Sequence, residues 1–366
     1  MKKAIITTSN NLVYDNRVHK VTLTLIELGF QVVKTGRNFP RPQQRTKREG
    51  KEKLFKLPVN KGFLFYFFLN LYTFFYLMFQ KSDLIWAVDM DTLPAAKTVA
   101  ILRRKPIVFD GHEFFSEVPE LLHRKIPKRI WMILEKIFLP GCDRYFTVSP
   151  GLVKLYKENY DIEFRLLRNF PLRTRETKVP LVNGQEKIIF YQGALNSGRG
   201  IRQTIVALSF LPDNYRFSIA GRGDCEEELQ QLTKNMGLEN RVNFIGPVPF
   251  EELHHHHNNV FVGIALHENL GLNYFHSLPN RLFDYLQAGI PVLSSNFPDM
   301  AEFVNTNKTG LVIDSIQPEE IAKSIKEACE NQELRKKWQQ TIPLAAQKFT
   351  WENEKEAMKD VSLLIK

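Results

Sequence analysis

Two successive series of short apolar runs, each followed by helical stretches, confine this chain to a parallel α/β architecture. The first series runs over 4–8, 31–34, 84–88, 107–109 and 144–148, with helical patterns such as 18–28 and 92–102 between. The second begins at 187–193 and continues through 215–220, 242–245, 260–265, 291–294 and 310–313. Strands that alternate with helices form βαβ units, and such units build a parallel sheet covered on both faces. The expected fold class is therefore α/β, with two Rossmann-like doubly wound parallel-sheet domains facing across a cleft. At 366 residues the chain is also too long for one ordinary core.

A polar stretch at 171–186, with prolines at Pro171 and Pro180, separates the two series and reads as a linker. The expected division is a first domain at 1–170, a linker at 171–186 and a second domain at 187–348. A last helix at 349–366 follows the second sheet and is expected to pack back across the seam. The three cysteines, Cys142, Cys225 and Cys329, stand far apart in no metal-ligand spacing. They suit free thiols in a reducing compartment. Lys2 and Lys3 precede only two isoleucines, so the N-terminus reads as a strand and the expected location is cytoplasmic.

Charge is uneven. The net charge is +10, and 41–61 alone holds eight Lys or Arg against two Glu. Directly after it, 62–79 carries ten aromatic residues in eighteen. Three readings are open for that run: a largely buried helix, a helix lying in a membrane interface, and a true span. Aromatics throughout, with Asn70 and Thr73 inside, argue against the span. A basic loop beside an aromatic helix is a two-signal attachment to anionic lipid, on the inner face of the cytoplasmic membrane. A second stretch at 124–136 combines the same ingredients. No base-stacking platform accompanies the basic segment, so nucleic acid is not an expected partner.

Ligands of such folds bind at the carboxyl ends of the strands. There the chain places polar turns that carry Asn16, Asp89 with Asp91, His112, Gly193 with Arg199, Gly221, and Glu268 to Leu272. The stretch 278–295 reads as a helix that starts at Pro279, ends at Gly289 and enters a strand. Arg281, Asp284 and Tyr285 share one face of it, opposite Leu282, Phe283 and Leu286. A cation, backbone N–H groups and a carboxylate near a helix N-terminus suit phosphate and sugar hydroxyls. A surface ion pair between Arg281 and Asp284 is the plainer alternative. The run His254 to His257 reads as a solvated helix end rather than a metal site, since four adjacent histidines cannot face one ion.

These motifs stand in the order of a known family. Phe190-Tyr-Gln-Gly193, Arg199-Gly-Ile201, Ile219-Ala-Gly221, Arg241 to Gly246, Glu268 and 278–292 resemble the donor domain of the family 4 retaining glycosyltransferases. Phe109-Asp-Gly-His-Glu113 resembles the histidine loop of their first domain, and Val148-Ser-Pro-Gly151 its final strand. The resemblance implies the GT-B fold, the glycosyl transferases group 1, and transfer from a UDP- or GDP-sugar to a lipid-linked or polysaccharide acceptor. It implies retention of configuration, a role in cell-envelope glycan synthesis, and no bound cofactor or metal, the nucleotide-sugar being a co-substrate.

By the same resemblance, Arg199 and Arg281 face the diphosphate, Asp284 the ribose, and Glu268 and His112 the transferred sugar. Gly193, Gly221, Asn269, Leu270, Gly271, Leu272 and Asn280 complete the donor side, and Asn16, Asp89 and Asp91 line the acceptor side. Three positions depart from the pattern. Fifteen residues rather than seven set the spacing between Glu268 and Asp284, Asp replaces Glu at 284, and Ala194 stands where an arginine is usual. Two rivals share the fold: a non-catalytic nucleotide-sugar-binding protein, and an epimerase or phosphorylase.

Overall fold

The computed structural model describes every residue except Tyr14, 39–47, Leu122, 174–176, 178, 180–185 and Lys366; for Glu120, Phe250 and Glu251 only the backbone is described. Arg41, Arg45, Lys47 and most of the expected linker therefore lie outside the described residues. The chain divides into two compact units, Met1–Asn169 with Glu354–Lys366, and Phe170–Asn353.

In the first unit the chain runs β1 (Lys2–Thr7), α1 (Asn16–Glu27), β2 (Phe30–Arg37), β3 (Lys51–Phe55), α2 (Gly62–Phe79), β4 (Leu84–Val88) and α3 (Leu93–Arg103). It continues through β5 (Ile107–Gly111), α4 (Lys125–Phe138), β6 (Arg144–Thr147), α5 (Pro150–Tyr160) and β7 (Arg165–Leu166). The strands pair in parallel in the order β3-β2-β1-β4-β5-β6-β7. The order reverses beside β1, so the crevice between the ends of β1 and β4 is where a doubly wound sheet binds ligands. The central strand β4 is buried along its whole length, which its unbroken apolar run requires. Asp15 caps α1, its carboxylate accepting from the Val18 N–H at 2.9 Å.

The second unit repeats this order with β8 (Lys187–Gln192), α6 (Ile201–Ala207), β9 (Tyr215–Ala220), α7 (Glu226–Asn235), β10 (Val242–Gly246) and β11 (Val260–Ala265). After them come α8 (Leu272–Phe275), α9 (Asn280–Ala288), β12 (Val292–Ser295), α10 (Pro298–Asn307), β13 (Gly310–Ile313), α11 (Pro318–Glu330), α12 (Gln332–Lys348) and α13 (Trp351–Glu354). Its parallel sheet runs β10-β9-β8-β11-β12-β13, with the reversal beside β8. The expected α/β class with two doubly wound sheets is what the chain adopts.

Three expectations need correction. The basic segment 41–61 is not all loop, because Lys51–Phe55 forms the parallel edge strand β3 beside β2. An edge strand needs only backbone pairing and one buried side, and here Phe55 alone is fully buried. The last helix is α only over Trp351–Glu354, and Lys355–Leu364 tightens into a 3₁₀ helix. Asp360 fastens that segment by accepting from Arg165 at 2.8 Å and from Arg144 at 3.1 Å.

The third concerns α2. Only Phe65, Leu69, Thr73 and Leu77 are buried, one stripe at four-residue spacing, so the largely buried reading fails. Phe63 is 68% exposed and Phe79 80% exposed, and Leu64, Phe67, Leu71, Tyr72 and Phe75 are exposed as well. By length and composition the helix is long and apolar enough to cross a membrane. Asn70 ties its inner side to the turn after β4 and to the start of α3. Its amide Nδ2 donates to the Asp91 carbonyl at 2.7 Å, and its Oδ1 accepts from the Ala95 N–H at 3.0 Å. Tyr66 meets Trp131 of α4 edge to face at 5.0 Å. On α4 itself Ile126, Ile130, Ile133 and Ile137 form an exposed stripe, bordered by exposed Lys125, Arg129 and Lys136.

Candidate active site

In the first unit a charged cluster lies at the ends of β4 and β5. Asp110, buried within β5, accepts from the Arg17 Nε with its two oxygens at 3.2 and 3.0 Å, and from Trp86 Nε1 at 3.3 Å. His112 follows at the strand end, with Nε2 3.4 Å from Asp110 and Nδ1 3.5 Å from Asp89. Its backbone N–H also donates to Asp89 Oδ1 at 2.7 Å. Burial works against a charge on His112, yet Asp89 and Asp110 outweigh it and lift the pKa to about 9. Burial alone would raise the Asp110 carboxyl, but Arg17 and His112 hold it well below the usual carboxylate range. The cluster therefore keeps an imidazolium, a hydrogen-bond donor, at the sheet's edge.

Asp91 lies on the same loop and is buried. Burial and the neighbouring Asp89 raise its carboxyl to about 7. Burial also raises Asp89. Asn16 is engaged elsewhere, its Oδ1 accepting from Arg48 Nη2 at 2.7 Å. The sequence singled out His112 and Asp89 but not Arg17, Asp110 or Trp86, which complete their surroundings.

In the second unit the glycines at the ends of β8 and β9 let two turns abut. The Gly193 N–H donates to the Ala220 carbonyl at 2.9 Å, and the Gly221 N–H to the Gly246 carbonyl at 2.8 Å. Gly221 has φ +156°, and a Cβ there would collide with the Gly193 carbonyl oxygen. Gly193 is exposed, and a Cβ on it would stand 4.0 Å from Nη1 of Arg281.

Arg281 comes from the first turn of α9. It is buried, with its guanidinium 5.0 Å above the Tyr191 ring and Nη2 3.4 Å from the Leu266 carbonyl. Arg199 lies 5.0 Å over the Tyr274 ring, with Nη1 3.5 Å from His267 Nε2. Among the described residues neither guanidinium has a carboxylate partner. Burial pulls the His267 pKa well below its usual value, and the two arginines add to the effect. His267 is thus neutral, and its Nδ1 lies 2.9 Å from the Ser277 hydroxyl.

The remaining donor-side residues divide. Glu268 lies on the β11 loop, its N–H donating to the Gly198 carbonyl at 2.9 Å and its Oε1 accepting from Gln203 Nε2 at 3.0 Å. Asn269 and Leu272 are exposed beside half-buried Leu270 and Gly271, and Asn280 is exposed at the start of α9. The residues that lengthen the Glu268 to Asp284 spacing form α8, whose Tyr274 stacks on His267 at 5.0 Å. They cover Arg199 instead of extending a loose loop. Asp284 accepts from Gln192 Nε2 at 2.8 Å.

Several details of α9 depart from expectation. Pro279 sits just outside the helix as its cap, while Gly289 ends it in the left-handed conformation at φ +76° as anticipated. Tyr285 does not share the ligand face, since it is fully buried and its hydroxyl bridges the Gln192 N–H (3.1 Å) and the Phe190 carbonyl (3.2 Å). Burial of Arg281 likewise removes the surface ion-pair reading. The His254 to His257 run is only partly a solvated end, because His257 turns inward, Nε2 2.8 Å from Gln192 Oε1.

Comparison with known proteins agrees with this architecture. Residues 173–343 match the family model described as Glycosyl transferases group 1. The GalNAc-alpha-(1->4)-GalNAc-alpha-(1->3)-diNAcBac-PP-undecaprenol alpha-1,4-N-acetyl-D-galactosaminyltransferase of Campylobacter jejuni is 24% identical over 267 residues, 70% of this chain and 68% of that protein. A GDP-mannose-dependent alpha-(1-6)-phosphatidylinositol monomannoside mannosyltransferase of Mycobacterium tuberculosis is 31% identical over 117 residues, 31% of this chain and 30% of that protein. Sucrose-phosphate synthase from Thermosynechococcus elongatus superposes with a TM-score of 0.76 at 15% identity, covering 99% of this chain and 98% of that one. Anabaena HepE in complex with UDP-glucose gives 0.75 at 15% identity, over 99% of this chain and 100% of that one. The chain thus has the fold of GT-B glycosyltransferases, and most of its second unit matches the glycosyl transferases group 1 model.

Proposed function

We propose that this protein is a family 4 enzyme that moves a sugar from a UDP- or GDP-sugar to a lipid-linked or polysaccharide acceptor, with retention, in cell-envelope glycan synthesis. The observation that carries the reading is the pair of guanidinium groups, Arg199 and Arg281, which lie beyond the ends of β8 and β11 with no carboxylate partner among the described residues. A buried cation without a counter-ion is costly, and a diphosphate supplies the missing charge. Gly193 and the turn at 269–272 leave room for phosphate to approach backbone N–H groups. Asp284 accepts from ribose hydroxyls, and Glu268 holds the transferred sugar. The bond from the sugar's anomeric carbon to the phosphate oxygen breaks as the acceptor oxygen bonds to the same face. The departing phosphate takes the acceptor's proton. Arg199 and Arg281 stabilise the charge that grows on the leaving diphosphate, so the reaction needs no bound metal or cofactor. Asp89 and Asp91 border the acceptor side with Asn16.

The relatives support the acceptor class, since the Campylobacter protein's name specifies an undecaprenol-linked glycan and the mycobacterial one a phosphatidylinositol mannoside. Incubation of the protein with labelled UDP- and GDP-sugars and a lipid extract tests the reading. Label is expected to enter the lipid fraction from one donor, and Asp284→Ala should cut that rate at low donor concentration about tenfold or more. Equal rates in the two proteins would remove Asp284 from the site.

Peripheral attachment to an anionic membrane surface belongs to this reading, supported by the exposed aromatic face of α2 and the isoleucine stripe of α4 with the Lys and Arg beside it. It would work in the cytoplasm, on the inner face of the cytoplasmic membrane. The protein is expected to co-sediment with vesicles containing phosphatidylglycerol at low salt and to release partly at high salt. Absence from the vesicle pellet at every ionic strength would exclude this surface.

A further inference from the structure

The four consecutive histidines have no part in the function proposed above, yet one of them reaches its machinery. His254 and His255 are exposed and lie against each other, ring centroids 3.9 Å apart. His257 instead sets its ring edge-on to Phe190 at 5.4 Å and brings Nε2 within 2.8 Å of Gln192 Oε1. Gln192, the last residue of β8, is buried and donates from Nε2 to Asp284 Oδ2 at 2.8 Å. The direction of this relay follows from its end. An ionised carboxylate only accepts, so the amide turns its NH₂ toward Asp284 and its oxygen toward His257. His257 must then carry its proton on Nε2. Burial lowers its pKa to about 4, so the ring stays neutral and the same nitrogen stays the donor near neutral pH.

The main chain adds a second constraint. The Gln192 N–H donates to the Tyr285 hydroxyl at 3.1 Å, and Tyr285 is the residue next to Asp284 on α9. Strand β8 and helix α9 are thus stitched together on both sides of the carboxylate. An aspartate has one methylene fewer than a glutamate, so its oxygens reach a ligand only from a fixed place, and the relay supplies that fixity.

We propose that His257 and Gln192 are positioning residues that orient Asp284 and thereby set the protein's preference for the ribose hydroxyls of a nucleoside diphosphate. This rests on the reading of Asp284 as the ribose ligand, and the test separates the two. Affinities for UDP, GDP and their 2′-deoxy counterparts would be measured by calorimetry on the wild type, Gln192→Met, His257→Leu and His257→Gln. The wild type is expected to favour the ribonucleotide about tenfold or more, the scale of one hydrogen bond to a charged group. Gln192→Met and His257→Leu should lose most of that preference, with deoxynucleotide affinity nearly unchanged. His257→Gln keeps a side-chain N–H donor and should restore it. A wild type without preference would overturn the role of Asp284 itself. A wild-type preference that survives in both disruptive variants would overturn the relay, as would an equal loss of ribo- and deoxynucleotide affinity.

Discussion

Arg281→Met is expected to weaken UDP or GDP binding about a hundredfold while leaving the unliganded protein as stable as before, or more so. The two effects have one cause. The guanidinium is buried, has Arg199 as a neighbour and, among the described residues, has the Tyr191 ring and a 3.4 Å contact to the Leu266 carbonyl but no carboxylate. A cation–π contact returns about 1–2 kcal/mol, less than the several kcal/mol that burying an unpaired ion costs. Methionine fills much of the same volume without the charge, so the empty protein gains about 1 kcal/mol, or a few degrees in melting temperature. With a diphosphate bound the balance reverses, because the lost charge-assisted hydrogen bonds were the ones that held the ligand. Calorimetry with each nucleotide, paired with thermal melts with and without it, reads both sides. Unchanged affinity would mean that no anion binds at Arg281. A loss of about 2 kcal/mol in the unliganded protein would mean that the arginine is structural.

Gly221→Ala is expected to cost about 3 kcal/mol or more and to abolish nucleotide binding, because the new methyl has nowhere to go. Its φ of +156° is unfavourable for alanine, and its Cβ would collide with the Gly193 carbonyl. The turns after β8 and β9 would have to part, and with them the approach beside Arg281. Gly237→Ala is the control, since Gly237 is also left-handed at φ +64° but has nothing within 4 Å of an added Cβ. It should cost about 1 kcal/mol and leave binding intact. Urea unfolding of both variants, with nucleotide titrations, decides. Equal costs and intact binding in both would show that the close approach of the two turns carries no weight.

The buried strands were legible because each is a continuous apolar run, and β4 (Leu84–Val88) is the plainest case. Lys51–Phe55 was not, since a strand that pairs through its backbone at a sheet edge needs little apolar patterning. The side of α9 that holds Tyr285 was misread for a different reason. Helical projection shows which residues share a face, but not how close the neighbouring sheet comes. The signal was there in Gly263, within the buried strand β11, where a Cβ would stand 2.5 Å from the Tyr285 ring. The helix carrying Arg281 and Asp284 was readable because Gly289 marks its end and an apolar strand follows at once. Arg17 and Asp110 were not, since they pair across 93 positions of sequence and only the sheet order brings them together. His257 was hidden by its own neighbours, as a fourth identical letter carries no sign that it alone turns inward.

Asn70 gives α2 two independent jobs divided along its length by one line of residues. Phe65, Leu69, Thr73 and Leu77 are buried and Asn70 bonds the loop that holds Asp89 and Asp91, whereas Phe63, Phe67, Phe75 and Phe79 are exposed. The outer set is therefore exchangeable: glutamate and lysine there would yield a more soluble chain in which Asp89 and Asp91 keep their places. The reverse exchange, Asn70 for leucine, would look harmless by hydropathy and would cut the one tether between the helix's amide and the loop.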